Sequence, residues 1–297
     1  MTRVQANLVL LVAAAIWGGG FIAQTTAMQT MGPLWFVGVR FVIATAVVLP
    51  FALRESARAA RPMTGREKLV FLAVGLALFG AAATQQIGLL TTNVTNASFL
   101  TSLYVIMVPV ISLVVLHRPP HRIVWPAAIM ALGGIYLLSG GDLSRLSFGD
   151  NLMVVSALLW AAQITLAGIA VQATGRPLML SAVQFGVVAI GALFVASLTE
   201  PLAPGALQGA IIELLYAGTL SSGLAFVLQN IGQRYTTSAQ AAIFLSSEAL
   251  FGALFGALIM KESLSSVGYI GCALMFGAIL IVELVPEITR KRREKAA

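Results

Sequence analysis

Ten apolar runs, each about the length of a bilayer-spanning helix, constrain this chain more than any other feature. A hydrocarbon core about 30 Å thick takes roughly 20 apolar residues in a helix. Runs of that order occupy approximately residues 6–27, 33–53, 67–90, 94–116, 122–139, 150–172, 177–198, 206–231, 237–260 and 264–285. With 59% hydrophobic and 10% charged residues, too few polar groups remain to cover a water-soluble globule. In lipid every backbone polar group must be satisfied within the segment, which for runs of this length means helices. The expected fold is an all-α integral membrane protein of ten transmembrane helices. The first run has Arg3 ahead of it, as a signal peptide would, but another long run follows within a few residues, so it is read as a retained helix.

The prolines punctuate this pattern. Pro33 and Pro177 stand where a helix begins, a position whose amide would be unpaired anyway, and Pro119-Pro120 and Pro286 fall where helices stop. Pro109 interrupts the middle of the fourth run, which predicts a kink there that turns carbonyls toward a cavity.

The chain also states itself twice. Residues 13–29 and 156–172, set at an offset of 143, align Ala14 with Ala157, Trp17 with Trp160, Ala27 with Ala170 and Gln29 with Gln172. An offset of 144 then carries Pro33 onto Pro177, Phe41 onto Phe185, Ile87-Gly88 onto Ile231-Gly232, Thr92 onto Thr236 and Gly133 onto Gly277. The reading is two copies, residues 1–140 with helices 1–5 and residues 141–297 with helices 6–10 and a basic tail, together one domain. Five is odd, so the second copy enters the membrane from the opposite side. Two inverted five-helix repeats around a central cavity are the expected architecture, one shared by many secondary transporters.

Orientation follows from the positive charges. With the amino terminus in the cytoplasm, the outer loops hold only Arg145 and Lys261, and Arg40 lies within a helix; the rest of the 18 Lys and Arg fall on the inner side. Both termini are therefore expected in the cytoplasm, at the inner membrane of the cell. The tail after Pro286 reads as positive-inside anchoring at an anionic leaflet. The net charge of +7 is scattered through short loops and this tail, without the basic patch and interleaved aromatics of a nucleic-acid binder. The single cysteine, Cys272, permits no intrachain disulfide and lies in an apolar segment, where it reads as a small buried hydrophobe.

Several motifs carry a resemblance. Ile16-Trp17-Gly18 in the first helix, Ser98-Phe99-Leu100-Thr101-Ser102-Leu103-Tyr104-Val105 followed by Val108-Pro109, and Lys261-Glu262-Ser263-Leu264 after helix nine resemble the drug/metabolite transporter (DMT) superfamily. More narrowly the chain is similar to the EamA family, and its length and texture resemble the YddG-type amino-acid exporters. The resemblance implies a cavity lined mainly by helices 1, 3, 4, 6, 8 and 9, with helices 5 and 10 peripheral, and export of amino acids or related small metabolites. Many relatives have Glu-Pro in helix nine where this chain has Glu248-Ala249, so a kink in that helix is not carried over.

The candidate substrate-binding residues come from residue type and depth. Trp17, Gly20, Phe21 and Gln24 share one face of helix one, and Trp160, Gln163 and Ala167 one face of helix six. Both tryptophans lie about 10 residues into their runs, roughly 15 Å at the helical rise, too deep for the interfacial aromatic belt. They suit a paired aromatic wall offering apolar and cation–π contacts, against the alternative of helix packing. Glu248, mid-membrane in helix nine, is a candidate proton carrier or a counter-charge for a substrate ammonium. Arg40 and Glu213 are read as structural charges, with Arg40 partnered by Glu248 or Glu213. Gln85, Gln86, Tyr104, Gln229 and Asn230 supply donors and acceptors for a carboxylate and an ammonium, or serve as interhelical glue. Glu283 reads as interfacial, and Gly252-Ala-Leu-Phe-Gly256 as a packing ridge within the bundle.

Other chemistries find no footing. His117 and His121 are four apart, but Pro119-Pro120 prevents the helix that would aim both at one metal. Neither a metal nor another cofactor is expected. Asn93-Val-Thr95 and Asn96-Ala-Ser98 match a glycosylation triplet but hug the membrane. The sequence has no Gly-x-Ser-x-Gly elbow, no His-Glu-x-x-His and no phosphate-binding glycine-lysine loop, which argues against an intramembrane enzyme or an ATP-driven pump. The leading expectation is a secondary exporter of amino acids, aromatic and other, working by alternating access in the lipid bilayer with a proton as candidate coupling ion. The alternatives are export of other metabolites or cationic drugs, nucleotide-sugar exchange, which lacks a mid-membrane basic pair for a diphosphate, and a non-transporting receptor. The oligomeric state is left open, a monomer being sufficient.

Overall fold

The computed structural model describes residues 1–297 apart from 93, 118, 139–146, 260–264 and 297. Within it, the side chains of 21, 22, 94–96, 98, 138, 256–259 and 286–296 lie outside the description. Arg118, Arg145 and Lys261-Glu262-Ser263-Leu264, which bear on topology and resemblance, therefore lie outside the described residues, as do the side chains of Phe21 and Ser98.

Among the described residues, and besides a single turn at Ala206–Gly209, ten helical elements follow one another: α1 (Arg3–Ala27), α2 (Pro33–Ala57), α3 (Gly65–Gly88), α4 (Val94–Thr101 and Tyr104–Val114), α5 (Val124–Leu138), α6 (Phe148–Thr174), α7 (Pro177–Thr199), α8 (Ile211–Gln233), α9 (Ser238–Leu245 and Glu248–Ile259) and α10 (Ser266–Ala296). Eight of them are long and apolar enough to cross a membrane, and α4 and α5 supply the two shorter apolar helices. Their starts are written locally. Capping boxes open α1 (Thr2 with Gln5), α3 (Thr64 with Glu67) and α6 (Ser147 with Asp150). α6 ends on Gly175 at φ 68°, a left-handed conformation that favours glycine.

α2 and α7 start with proline instead, and each borrows a cap from the other. The Glu55 carboxylate, at the end of α2, accepts from the backbone amides of Leu178 (3.3 Å) and Met179 (2.8 Å) at the start of α7. Glu200, closing α7, accepts from Leu34 (3.1 Å) and Trp35 (3.2 Å) at the start of α2. A carboxylate on a helix N-terminus satisfies orphan amides and meets the positive end of the dipole. A Cβ at Gly32 would overlap the Glu200 carboxylate, so a larger residue there would displace the cap. Two helices that cap each other at both ends are antiparallel. Because α2 and α7 hold equivalent places in the two repeats, the halves are inverted.

The packing obeys the same exchange. α2 lies along α7 and α5 along α10, each helix against its own counterpart. α3 packs on α6 as α8 packs on α1, α3 on α7 as α8 on α2, and α4 on α6 as α9 on α1. Polarity runs opposite to that of a soluble protein: the Gln86, Gln163, Gln184, Gln229, Asn230 and Gln233 side chains are wholly enclosed, whereas Ile190 and Ile212 are 75% and 77% exposed. This is what a bilayer demands of a bundle.

Neither fourth helix is interrupted at a proline. α4 does not break at Pro109; helix runs through it from Tyr104 to Val114, and the interruption falls earlier, at Ser102-Leu103. Restarting at Tyr104 leaves Pro109 in the second turn, where it removes a single ladder bond, to Val105. α9, without its proline, is nevertheless broken at Ser246-Ser247. Here hydroxyls do the work: Ser246 Oγ donates to the Ile243 carbonyl (2.8 Å) and Ser247 Oγ to that of Phe244 (2.5 Å), competing with the helical ladder. Ser102 and Ser246 are 144 residues apart, so both repeats break their fourth helix at one equivalent place.

The break in α1, at Gly19, meets α9 and α8. Gly18 and Gly252 bring α1 and α9 into near backbone contact, and the Tyr216 hydroxyl donates to the Ile16 carbonyl (2.8 Å). The Gly252 ridge thus packs within the bundle. Glu283, expected as interfacial, accepts from the Asn7 side-chain amide and lies 3.9 Å from Arg3, tying α10 to the start of α1.

Candidate functional site

Between the halves lies a cavity of about 580 Å³, counting all non-atom space including its open mouth. Two apolar clusters flank it, one built from α1, α4, α5, α6, α8, α9 and α10, the other from α2, α3, α7 and α8. Trp17 and Trp160 pack against both and form the seam. α1 contributes Trp17 and Gln24 to the lining, α3 Gln85, α4 Thr101 and Tyr104, α6 Trp160 and Ile164. α8 contributes Ser221, Ser222, Phe226 and Gln229, α9 Glu248, and α2 Arg40. Helices 5 and 10 contribute nothing among the described residues, whereas α2 joins the helices that the resemblance implied.

Phe226 organises the aromatic wall, and the sequence reading missed it. Its ring meets Trp17 edge-on at 4.8 Å between centroids and stacks on Trp160 at 5.7 Å with planes 14° apart. Phe41 and Phe185, themselves a repeat pair, support it at 6.2 and 6.0 Å. Helical spacing could have revealed it, since Ser222, Phe226 and Gln229 share one face of α8. Both indole N–H groups are spent within the protein: Trp17 Nε1 donates to the Ser221 carbonyl (2.8 Å) and Trp160 Nε1 to Gln85 Oε1 (2.7 Å). The tryptophans therefore offer a ligand their rings, held in fixed orientation, and no donor.

The polar lining forms a relay of amides. Gln85 Nε2 reaches Gln24 Oε1 (3.4 Å), and Gln229 Nε2 donates to Gln163 Oε1 (3.1 Å) and Gln233 Oε1 (3.0 Å). Gln163, placed by sequence among the substrate contacts, is instead enclosed behind the wall. It donates to Gln184 Oε1 at 3.1 Å, its amide consumed in joining α6 to α7 and α8. Gln86 and Asn230 are likewise glue, Gln86 reaching the Gln24 carbonyl (3.4 Å) and Asn230 the Ser181 hydroxyl (2.8 Å).

Repeat-equivalent residues share the lining of the cavity. Trp17 pairs with Trp160 and Gln85 with Gln229, and Tyr104 and Glu248, 144 residues apart, restart the broken fourth helix of each half. Tyr104 and Glu248 line the cavity together and interact electrostatically. This pair lies on the pseudo-twofold relation between the halves.

Arg40 makes no ion pair with Glu248 or Glu213 among the described residues. Glu213 stands half-exposed at the start of α8 and outside the cavity lining. Arg40 is 6% exposed, with its Nε unpartnered and its guanidinium over the rings of Phe36 (5.3 Å) and Phe41 (5.2 Å). Desolvated cation–π contacts are worth about 2 kcal/mol each. Burying an unpaired ion costs several kcal/mol, so the rings offset only part of it.

An all-helical membrane bundle of two inverted halves closed around a polar, aromatic cavity defines a membrane transporter. Residues 4–140 and 147–284, the two halves, each match the EamA-like transporter family, and the chain belongs to it, within the DMT superfamily. An uncharacterized transporter of Archaeoglobus fulgidus is 33% identical over 95% of this chain and 87% of its own length. The uncharacterized transporter YwfM of Bacillus subtilis is 27% identical over 98% and 96%, and the uncharacterized inner membrane transporter YedA of Escherichia coli 25% over 91% and 87%. A crystal structure with 18% sequence identity superposes with a TM-score of 0.79 over 96% of this chain and 98% of that one, which shows a shared fold.

Proposed function

We propose that this transporter exports amino acids, aromatic and other, or related small metabolites, by alternating access between its inverted halves. The observation that carries the reading is the cavity lining among the described residues: an aromatic wall of Trp17, Phe226 and Trp160 beside neutral amides, the acid Glu248 and Arg40. Rings receive an apolar side chain, amides satisfy polar groups without a fixed charge, and the acid meets an ammonium. The two units are residues 1–140 and 141–297, with both termini in the cytoplasm at the inner membrane. Glu248, which lines the cavity with Tyr104 where the broken helices restart, is the proposed site of proton coupling or counter-charge.

The test is counterflow in liposomes against a panel of amino acids, cationic drugs and nucleotide sugars, run with and without a pH gradient. Amino acids should exchange, and Trp17→Ala and Trp160→Ala should lose substrate-selective flux. Exchange of drugs or nucleotide sugars alone, or ligand binding without flux, overturns the reading.

A further inference from the structure

We propose that Arg40, together with Ser222, is the subsite that takes the carboxylate of the transported amino acid; the assignment rests on the amino-acid reading above. Arg40 faces the cavity with its Nε unpartnered, and among the described residues no acceptor and no acid engages its guanidinium. Phe36 and Phe41 flank the group but accept no N–H in its plane. A planar fork of donors buried at the cavity wall matches a carboxylate bidentately.

The internal repeat supplies an independent control on whether the fold requires a cation there. The residue 144 positions on is Gln184, neutral, fully enclosed and engaged by Gln163 at 3.1 Å. The same place in the other half is thus filled by an amide that serves packing. A second departure from symmetry lies beside the first. α8 contains a π-helical stretch, Tyr216–Leu224, whereas the equivalent part of α3 is regular α-helix. Such wide turns recur at functional sites. This one packs directly on α2 at Arg40, since a Cβ at Gly218 would lie 3.0 Å from the Arg40 carbonyl. It presents Ser222, 1% exposed, which belongs to the same cavity lining and whose Oγ has no partner among the described residues. Among the described residues, the cavity therefore holds an unclaimed cation and hydroxyl as well as the acid Glu248, the complement of a zwitterion.

Three probes that share a phenyl ring separate the charges: L-phenylalanine, 3-phenylpropanoate, which lacks the ammonium, and 2-phenylethylamine, which lacks the carboxylate. Their binding is measured calorimetrically on the full chain in nanodiscs. Wild type should bind both carboxylates, and Arg40→Gln should weaken both by at least roughly 30-fold, the scale of losing one partner of a buried charge pair, while leaving 2-phenylethylamine unchanged. Ser222→Ala and Arg40→Lys should show smaller losses confined to the carboxylate probes, and they carry the test if Arg40→Gln does not fold. Failure of wild type to bind either carboxylate, an equal loss for all three probes, or unchanged carboxylate binding in the variants overturns the subsite. Arg40-dependent binding of 3-phenylpropanoate without phenylalanine counterflow upholds it and overturns the amino-acid reading. Phenylalanine counterflow undiminished in Arg40→Gln does the reverse.

Discussion

Replacing Gly18 by alanine should force α1 and α9 apart at the wall of the cavity. A Cβ on Gly18 would lie 2.8 Å from the Gly252 amide nitrogen, 2.8 Å from the Phe251 Cβ and 2.9 Å from the Glu248 carbonyl. Two of these neighbours are backbone and cannot rotate away. Carbon contacts are comfortable only near 3.5 Å, so the helices must separate by about 0.7 Å. Overpacking of this kind costs about 1–3 kcal/mol. Helix propensity opposes it by at most about 1 kcal/mol, and by less here because Gly18 ends the first segment of α1. The net loss expected is about 1–2 kcal/mol. Gly186→Ala on α7 isolates the propensity term, because nothing lies within 4 Å of its added methyl. Unfolding by SDS in mixed micelles, followed by tryptophan fluorescence, should place Gly186→Ala at or slightly above wild type. Gly18→Ala should fall below Gly186→Ala by about 1–3 kcal/mol. Because Trp17 and Glu248 adjoin the contact, counterflow should fall with it. A Gly18→Ala protein as stable as Gly186→Ala would refute the claim that the halves meet backbone to backbone here.

Two further substitutions probe the elements that hold the halves and the wall. Glu200→Ala strips the cap from α2 and should cost about 2 kcal/mol in the same SDS assay, in line with hydrogen bonds to a charged group; Glu55→Ala should cost a similar amount, and the two should add, since a 25-residue helix separates them by more than 30 Å. A double variant no worse than either single one contradicts reciprocal capping. Trp160→Phe keeps a ring to stack on Phe226 but deletes the bond to Gln85, so stability should drop by about 1 kcal/mol while the counterflow KM stays near that of wild type; a loss as large as that of Trp160→Ala means that the N–H, and not the ring, matters.

Much of this was legible in the sequence because hydropathy and repetition are local. Apolar run length fixed the number of spans, and the offset that carries Pro33 onto Pro177 fixed two halves whose odd helix count requires inversion. Residue type and depth marked Trp17, Gln24, Gln85, Tyr104, Trp160, Gln229 and Glu248, all of which line the cavity. What tertiary structure decided is lateral. A buried glutamine that faces a cavity and one that faces a neighbouring helix look the same along the chain. Only the rotation and separation of α6, α7 and α8 place Gln163 behind the wall, while Gln85 and Gln229 stay in it. The break in α9 came from serine hydroxyls that take back carbonyls, a competition settled by rotamers, where a proline would have been visible in the sequence. Arg40 read as one half of an ion pair because a lone charge in a membrane is costly. The fold instead leaves it without an acidic partner among the described residues and flanks it with aromatic rings at the edge of the cavity. The sequence thus decides which groups enter the membrane, and packing decides which of them remain available to a ligand.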